Sequence, residues 1–218
     1  VTTALADDVV ATTTGAGTVT ATGEGDTAMT VTARTSTVTL STNDAANNAT
    51  VTATGTGAGV ESDTLNVTAG DDFTIANQAA DVVETINVTG SAAIDATITT
   101  STATTYTGDS NVTFLGDHAI FHQAEISGGA LLEINAMNLA TDLSKATGSI
   151  ELSAAVTSGI LSVNDNATIT MSADMAGMEI NADDDVTNTA STYLQGTLNL
   201  TLSNDQSGVI VIDHSAAS

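Results

Sequence analysis

Hydrophobic and polar residues alternate with a period of two over short segments along most of the chain. Each segment puts Val, Ile, Leu or Ala on one face and Thr or Asn on the other, as in β-strands with one buried face. Gly, Asn, Asp or Ser separates the segments, as turns require. The clearest segments are 18–22, 29–33, 37–40, 50–54, 64–68, 85–89, 167–171 and 196–202. The pattern predicts an all-β architecture.

Two neighbouring segments repeat almost residue by residue. Asp63-Thr-Leu-Asn-Val-Thr-Ala-Gly70 returns as Glu84-Thr-Ile-Asn-Val-Thr-Gly90, and 196–201 is a third, distant copy. The offset of the first two copies, about 21 residues, fits one coil of a β-solenoid or two strands of a sandwich. The chain has no proline, a residue that survives mainly at strand edges and bulges. We therefore predict a β-solenoid (parallel β-helix) or a stacked β-sandwich, and favour an unbroken stack.

The stretch 118–147 departs from this pattern. Four apolar residues in it follow a helical spacing: Leu132, Ala136, Leu139 and Leu143. Lys145 and Gly148 suit the end of such a helix. The spacing predicts a short helix over 135–146, and the alternative is one more strand over 130–136.

Composition changes at the same place. Residues 1–117 form a Thr/Gly-rich β region, and residues 118–218 form a β region richer in Leu, Ile and Asp. The second region is either a separate subdomain or a continuation of the first.

Charge excludes several functions. The chain has 26 acidic residues and two basic ones, Arg34 and Lys145, for a formal net charge of −24. Two cations cannot form a phosphate-binding patch, so we expect no nucleic-acid partner. No run of 18 apolar residues is present, so we expect no membrane span. Cysteine is absent, which removes disulfides and cysteine-based zinc sites.

Acidic residues gather at turn positions, where calcium finds the carboxylate and carbonyl oxygens it prefers. Bound calcium would also relieve the self-repulsion of so acidic a chain. We predict Ca²⁺ as a cofactor, and the alternative is solvated acidic turns or adaptation to high salt. The candidate ligands are Asp71, Asp72, Asp109, Asp117, Asp165, Asp183, Asp184, Asp185 and Asp205.

No residue is a convincing catalytic candidate. His118 and His122 stand four apart, beside Asp117 and Glu125, and on a helix they could be a metal pair. A third ligand is not evident, so we favour two surface or partly packed histidines. We predict that the protein is not an enzyme.

Thr-x-Thr arrays fill residues 18–56. They are typical of the exposed face of ordinary strands. If stacked coils kept the threonines in strict register, the same arrays could order water as an ice-binding surface does.

The run Asp81-Val-Val-Glu-Thr-Ile-Asn-Val-Thr-Gly90 with Ser91-Ala-Ala-Ile94, in a Thr/Ala/Gly/Asp-rich and Lys-poor chain, resembles bacterial surface-layer (S-layer) proteins. It also resembles related calcium-dependent extracellular proteins of the type I secretion (RTX-like) group. The resemblance implies self-assembling β-rich subunits, calcium between them and a location at the cell surface. The chain departs from the group in lacking glycine-rich calcium nonapeptides.

We therefore predict a structural subunit of an extracellular assembly, a surface layer or filament, that self-associates with calcium bound in acidic turns. Its partners would be further copies of itself and cell-surface polysaccharide. The alternative is a β-solenoid adhesin or ligand-binding module, including an ice-binding one.

Overall fold

The computed structural model describes residues 2–5, 9–12, 18–24, 28–32, 35–41, 49–54, 63–77, 83–101, 103–137, 140–154, 159–164, 167–175, 177–182, 199–202 and 207–213. In these ranges the chain forms 21 β-strands and one short helix. The chain divides into two compact units, Val1–Leu115 and Gly116–Ser218. The division at residue 117 that composition suggests stays a prediction.

The described part of the first unit contains twelve strands. They are β1 (Thr2–Leu5), β2 (Val9–Thr12), β3 (Thr18–Glu24), β4 (Ala28–Thr32), β5 (Thr35–Ser41), β6 (Ala49–Thr54), β7 (Thr64–Ala69), β8 (Phe73–Asn77), β9 (Thr85–Gly90), β10 (Ile94–Thr100), β11 (Thr105–Gly108) and, across the boundary, β12 (Val112–Asp117).

Successive strands of this unit alternate between two sheets. One has the order β1-β3-β5-β7-β9-β11 and the other β2-β4-β6-β8-β10-β12. The neighbouring strands pair in parallel, for example β5 with β7 and β6 with β8. Each coil thus adds one strand to each sheet, which is a β-solenoid, and this prediction is confirmed. A sandwich would instead contain antiparallel strands.

The core of the first unit is built from columns of like residues. Val38, Val67 and Val88 are consecutive partners in register and are buried. Leu65, Ile86 and Tyr106 form a second column of this kind. Because side chains alternate between the faces of a strand, in-register parallel pairing stacks every inward residue on its counterpart one coil away.

Tyr106 brings a polar atom into this core. Its ring meets Phe114 edge to face with centroids 5.6 Å apart, and its hydroxyl donates a hydrogen bond to Ser101 Oγ at 2.7 Å. Burial raises the pKa of Tyr106 to about 12, although the bond to Ser101 opposes the shift. The phenol is therefore neutral at physiological pH.

The repeated segment seen in the sequence is one coil of this solenoid. Strands β7 and β9 pair so that Asn66 lies opposite Asn87. The Asn87 side-chain amide donates to Asn66 Oδ1 at 3.0 Å, across 21 residues of chain. This hydrogen bond between side-chain amides stabilises the pair because both coils carry asparagine at this position.

The second unit begins with a single helical turn, α1 (His118–Phe121). Its strands are β13 (Glu125–Ser127), β14 (Leu131–Ala136), β15 (Thr141–Leu143), β16 (Ser149–Leu152), β17 (Gly159–Val163), β18 (Thr168–Met171), β19 (Met178–Ala182), β20 (Asn199–Leu202) and β21 (Val211–Asp213).

These strands follow the same principle of parallel pairing. One sheet contains the order β14-β16-β18-β20 and another the order β15-β17-β19-β21. Coils approach closely at Gly148, where a Cβ atom would lie 2.3 Å from the Ala130 carbonyl oxygen. Only glycine fits there without a shift of the backbone.

The helix predicted over 135–146 is wrong. Strand β14 ends at Ala136, and β15 and an isolated parallel bridge from Ala146 to Ile126 follow. Leu132 and Ile134 are buried and pair with Ile150 and Leu152. Burial against the next coil outweighs the weak helical preference of the segment, so the alternative, a strand over 130–136, is confirmed.

Candidate functional site

Four of the predicted calcium ligands lie in the described part of the chain, each in or beside a turn. Asp71 and Asp72 join β7 to β8, Asp109 joins β11 to β12, and Asp117 precedes α1. The other five lie outside the described residues: Asp165, Asp183, Asp184, Asp185 and Asp205.

Asp71 and Asp72 accept hydrogen bonds from backbone amides. The Asp72 amide donates to Asp71 Oδ1 at 2.9 Å. The Asp95 amide, one coil later, donates to Asp72 Oδ1 at 2.7 Å. Asp71 thus bonds to an amide of its own turn, and Asp72 bonds to an amide near the start of β10 in the next coil.

Asp109 links two coils in the same way. Its Oδ2 accepts from the Gly90 amide at 3.1 Å, and its Oδ1 accepts from the Asn111 amide at 3.0 Å. Asn111 completes the link, because its side-chain amide donates to the Gly90 carbonyl oxygen at 2.9 Å. The Asp109 carboxylate thus bonds to its own turn through one oxygen and to the neighbouring coil through the other.

Asp117 caps the helical turn and also orients a histidine. Its Oδ1 accepts from the Ala119 amide at 2.8 Å and lies 2.8 Å from His118 Nδ1. The same nitrogen is 3.1 Å from the Ala136 carbonyl oxygen. Because both neighbours are acceptors, the buried His118 ring carries its hydrogen on Nδ1.

His122 has a different set of partners. Its Nδ1 accepts a hydrogen bond from the Asp142 amide at 3.1 Å. The helix ends before His122, and the helical pair that a metal would need does not form. Among the residues that the structure describes, no three Asp, Glu or His side chains lie close enough together to hold a metal ion.

The sequence did not single out Asp142 and Ser144, which lie beside His122. Ser144 donates to Asp142 Oδ1 through its hydroxyl at 2.6 Å and its amide at 3.1 Å. Burial raises the pKa of Asp142, but the bonds from Ser144 and Gln123 and the charge of His122 outweigh it, so the pKa lies below its usual value. The signal available was the Asp-x-Ser spacing, typical of a side-chain turn.

A second candidate surface is the outward face of β5, β7, β9 and β11. Its side chains form three columns: Thr64, Thr85 and Thr105; Thr37, Asn66, Asn87 and Thr107; and Thr39, Thr68 and Thr89. Thr68 and Thr89 are exposed and the others are half-buried. We call this surface the Thr/Asn lattice. Of its residues, Thr37 and Thr39 lie in the Thr-x-Thr arrays over 18–56. The others follow these arrays along the chain, and the register between coils is visible only in the fold.

A third candidate surface lies at β20 and β21, which end their sheets in the described part of the chain. Leu202 pairs with Met171, and Ile212 pairs with Ile180. Met171 and Ile180 are fully buried, whereas Leu202 is 50% exposed and Ile212 is 48% exposed. Both exposed residues end columns of core side chains, and we call this surface the open end.

Comparisons with protein-family models, with curated proteins and with solved structures find no match. Within the described ranges, no helix is long and apolar enough to cross a membrane. The candidate functional features in the described part of the chain are therefore the acidic turns, the Thr/Asn lattice and the open end.

Proposed function

We propose that the protein is a structural subunit of an extracellular assembly, a surface layer or filament, in which copies stack at the open end. The observation that carries the proposal is the exposure of core side chains at Leu202 and Ile212. An exposed apolar side chain that ends a buried column gains free energy when another apolar surface covers it.

The side chains at the open end continue the interior of the solenoid. Ile134, Leu152, Met171 and Leu202 are consecutive partners in one column, and the first three are buried. Leu161, Ile180 and Ile212 form a similar column. The surface that best covers the end of such columns is another coil with the same cross-section.

A second copy of the chain offers such a coil. Strands β1 and β2 are terminal in their sheets, as β20 and β21 are in theirs. All four pair in parallel with their inner neighbours. A contact between these unlike edges of two copies would be heterologous, and heterologous contacts that do not close into a ring produce filaments.

Calcium is the second part of the proposal. A formal net charge of −24 opposes the approach of two copies, and divalent cations would reduce this repulsion. Aspartates that bind amides still have lone pairs for a cation. The location at the cell surface, and attachment to its polysaccharide, are supported only by the resemblance to S-layer proteins.

The test is sedimentation velocity over a range of protein concentrations. The wild-type chain should form species that grow with concentration, and the double variant Leu202→Thr/Ile212→Thr should stay monomeric. Threonine is a β-branched residue that strands favour, and it removes apolar surface at both positions. Circular dichroism checks that the double variant keeps its fold.

Ile160→Thr is the matched control. Ile160 is 42% exposed on β17, an inner strand between β15 and β19, so its substitution should leave assembly unchanged. A wild-type chain that stays monomeric at every concentration contradicts the proposal. Equal loss of assembly in the control contradicts it too, because surface hydrophobicity alone would then be responsible.

A further inference from the structure

We propose that the Thr/Asn lattice binds the surface of ice, a function separate from stacking at the open end. The lattice is regular both across the strands and along them. Adjacent strands lie about 4.8 Å apart, and alternate residues of a strand lie about 6.6 Å apart. Pairing from β5 to β11 keeps one register throughout. The other sheet shifts its register between Ile98 and Thr100.

The lattice carries no charge. Every member is a threonine or asparagine, although the chain carries 26 acidic residues. A carboxylate binds its own hydration shell tightly, and displacing or reordering that shell is costly. Threonine instead presents a hydroxyl that exchanges hydrogen bonds with water and a methyl group around which water becomes ordered. An uncharged lattice can therefore hold water in the arrangement of a crystal.

The side chains of the lattice are also rigid. Threonine is branched at Cβ and has few χ1 rotamers. A hydrogen bond joins the Asn66 and Asn87 side chains, two of the four members of the middle column, and holds both amides in one orientation. Rigid groups lose little entropy when they immobilise a layer of water.

A periodic surface also limits the class of partner. Small ligands occupy concave sites with a few convergent polar groups, whereas the columns repeat the same groups from coil to coil. Only a partner that is itself periodic can contact every row. Ice is periodic in this sense and offers hydrogen bonds in each repeat. Crystalline polysaccharide is periodic too, but the lattice has no aromatic ring on which a sugar could stack.

The test is partition of the protein between ice and liquid during slow freezing of a dilute solution. The wild-type chain should enter the ice, and Thr68→Lys/Thr89→Lys should remain in the liquid. These two exposed threonines are neighbours on β7 and β9, so two lysines there place bulk and charge in the lattice.

The control is Thr74→Lys/Thr97→Lys, which changes neighbouring residues of β8 and β10 on the other sheet. Both threonines are half-buried, so circular dichroism checks that each lysine variant keeps its fold. This variant should enter the ice like the wild-type chain. Exclusion of the wild-type chain from ice overturns the proposal, and so does equal exclusion of both variants. Binding to powdered crystalline chitin or cellulose without binding to ice overturns it in favour of a polysaccharide partner. Because the lattice variant leaves Leu202 and Ile212 intact, its sedimentation reports on stacking independently.

Discussion

At the scale of single residues, the acidic side chains in the turns join neighbouring coils. Asp72 accepts from the Asp95 amide and Asp109 from the Gly90 amide, and Glu84 Oε2 accepts from the Asp63 amide at 2.6 Å. Turns leave amides without ladder partners, and a short acidic side chain is well placed to satisfy them. The aspartates that the sequence marks as cation ligands therefore have a structural role in the fold.

Asp142 yields a prediction of pH dependence. The pKa of Asp142 is lowered in the folded protein. The ionised carboxylate therefore stabilises the fold at pH values above the ordinary aspartate pKa of about 3.9. That stabilisation is lost as the pH falls through the folded pKa. Ser144→Ala removes a donor to the charged carboxylate, and we expect it to lower the free energy of unfolding by about 1 kcal/mol at pH 7.

The loss caused by Ser144→Ala should shrink in acid, because a protonated Asp142 needs the donor less. Urea unfolding of both proteins at pH 7 and near pH 3 measures this difference. Ser149→Ala, at an exposed position nearby, is the control and should show no such pH dependence. A Ser144→Ala effect of equal size at both pH values would mean that Ser144 acts without the carboxylate charge.

At the scale of elements, each strand is stabilised by its neighbours in the adjacent coils. Ile86 illustrates this, since it is fully buried between Leu65 and Tyr106 in the column that β7, β9 and β11 share. The misassigned stretch 135–146 makes the same point. A helical spacing of four apolar residues could not compete with the burial of Leu132 and Ile134 against Ile150 and Leu152.

Ile86→Ala should lower the free energy of unfolding by about 3 kcal/mol, because it leaves a cavity in a fully packed column. Thr89→Ala on the same strand is the matched control. Thr89 is exposed, and its loss should change stability by less than about 0.5 kcal/mol. Urea unfolding measures both, and similar losses in the two variants would contradict a core built from inward columns.

At the scale of the whole molecule, charge and assembly are opposing terms. The formal net charge of −24 opposes association, whereas the proposed stacking at the open end would bury apolar side chains. The balance between them should therefore depend on the ions in solution. This dependence separates the proposed assembly from nonspecific aggregation of apolar surface.

We expect millimolar calcium to raise the melting temperature and the assembled fraction, and a chelator to reverse both. Light scattering and thermal melts measure the two effects. Magnesium at the same concentration and a sodium salt at the same ionic strength are the controls. If calcium changes neither property, or if sodium reproduces its effect, the calcium part of the proposed function is wrong.

Local patterning determined the strands and their inward residues. The alternation in 64–68 and 85–89 is decided within each segment, because a strand buries every second residue whatever lies beside it. The absence of proline and the repeat containing Asn66 and Asn87 also favoured an unbroken stack. The sequence left a β-solenoid and a stacked sandwich as alternatives, and the parallel pairing of the strands decided between them.

Only the tertiary structure decided the register, the partners of the turn acids and the exposure of the open end. Register is the choice of which residue of the next coil lies opposite a given residue. The alternation of apolar and polar residues leaves shifts by two residues undecided, because such a shift keeps every side chain on the same face. The partner of Asp109 is an amide 19 residues away, and the exposure of Leu202 depends on whether another coil follows. These properties come from the packing of separate coils, which no single segment of the chain encodes.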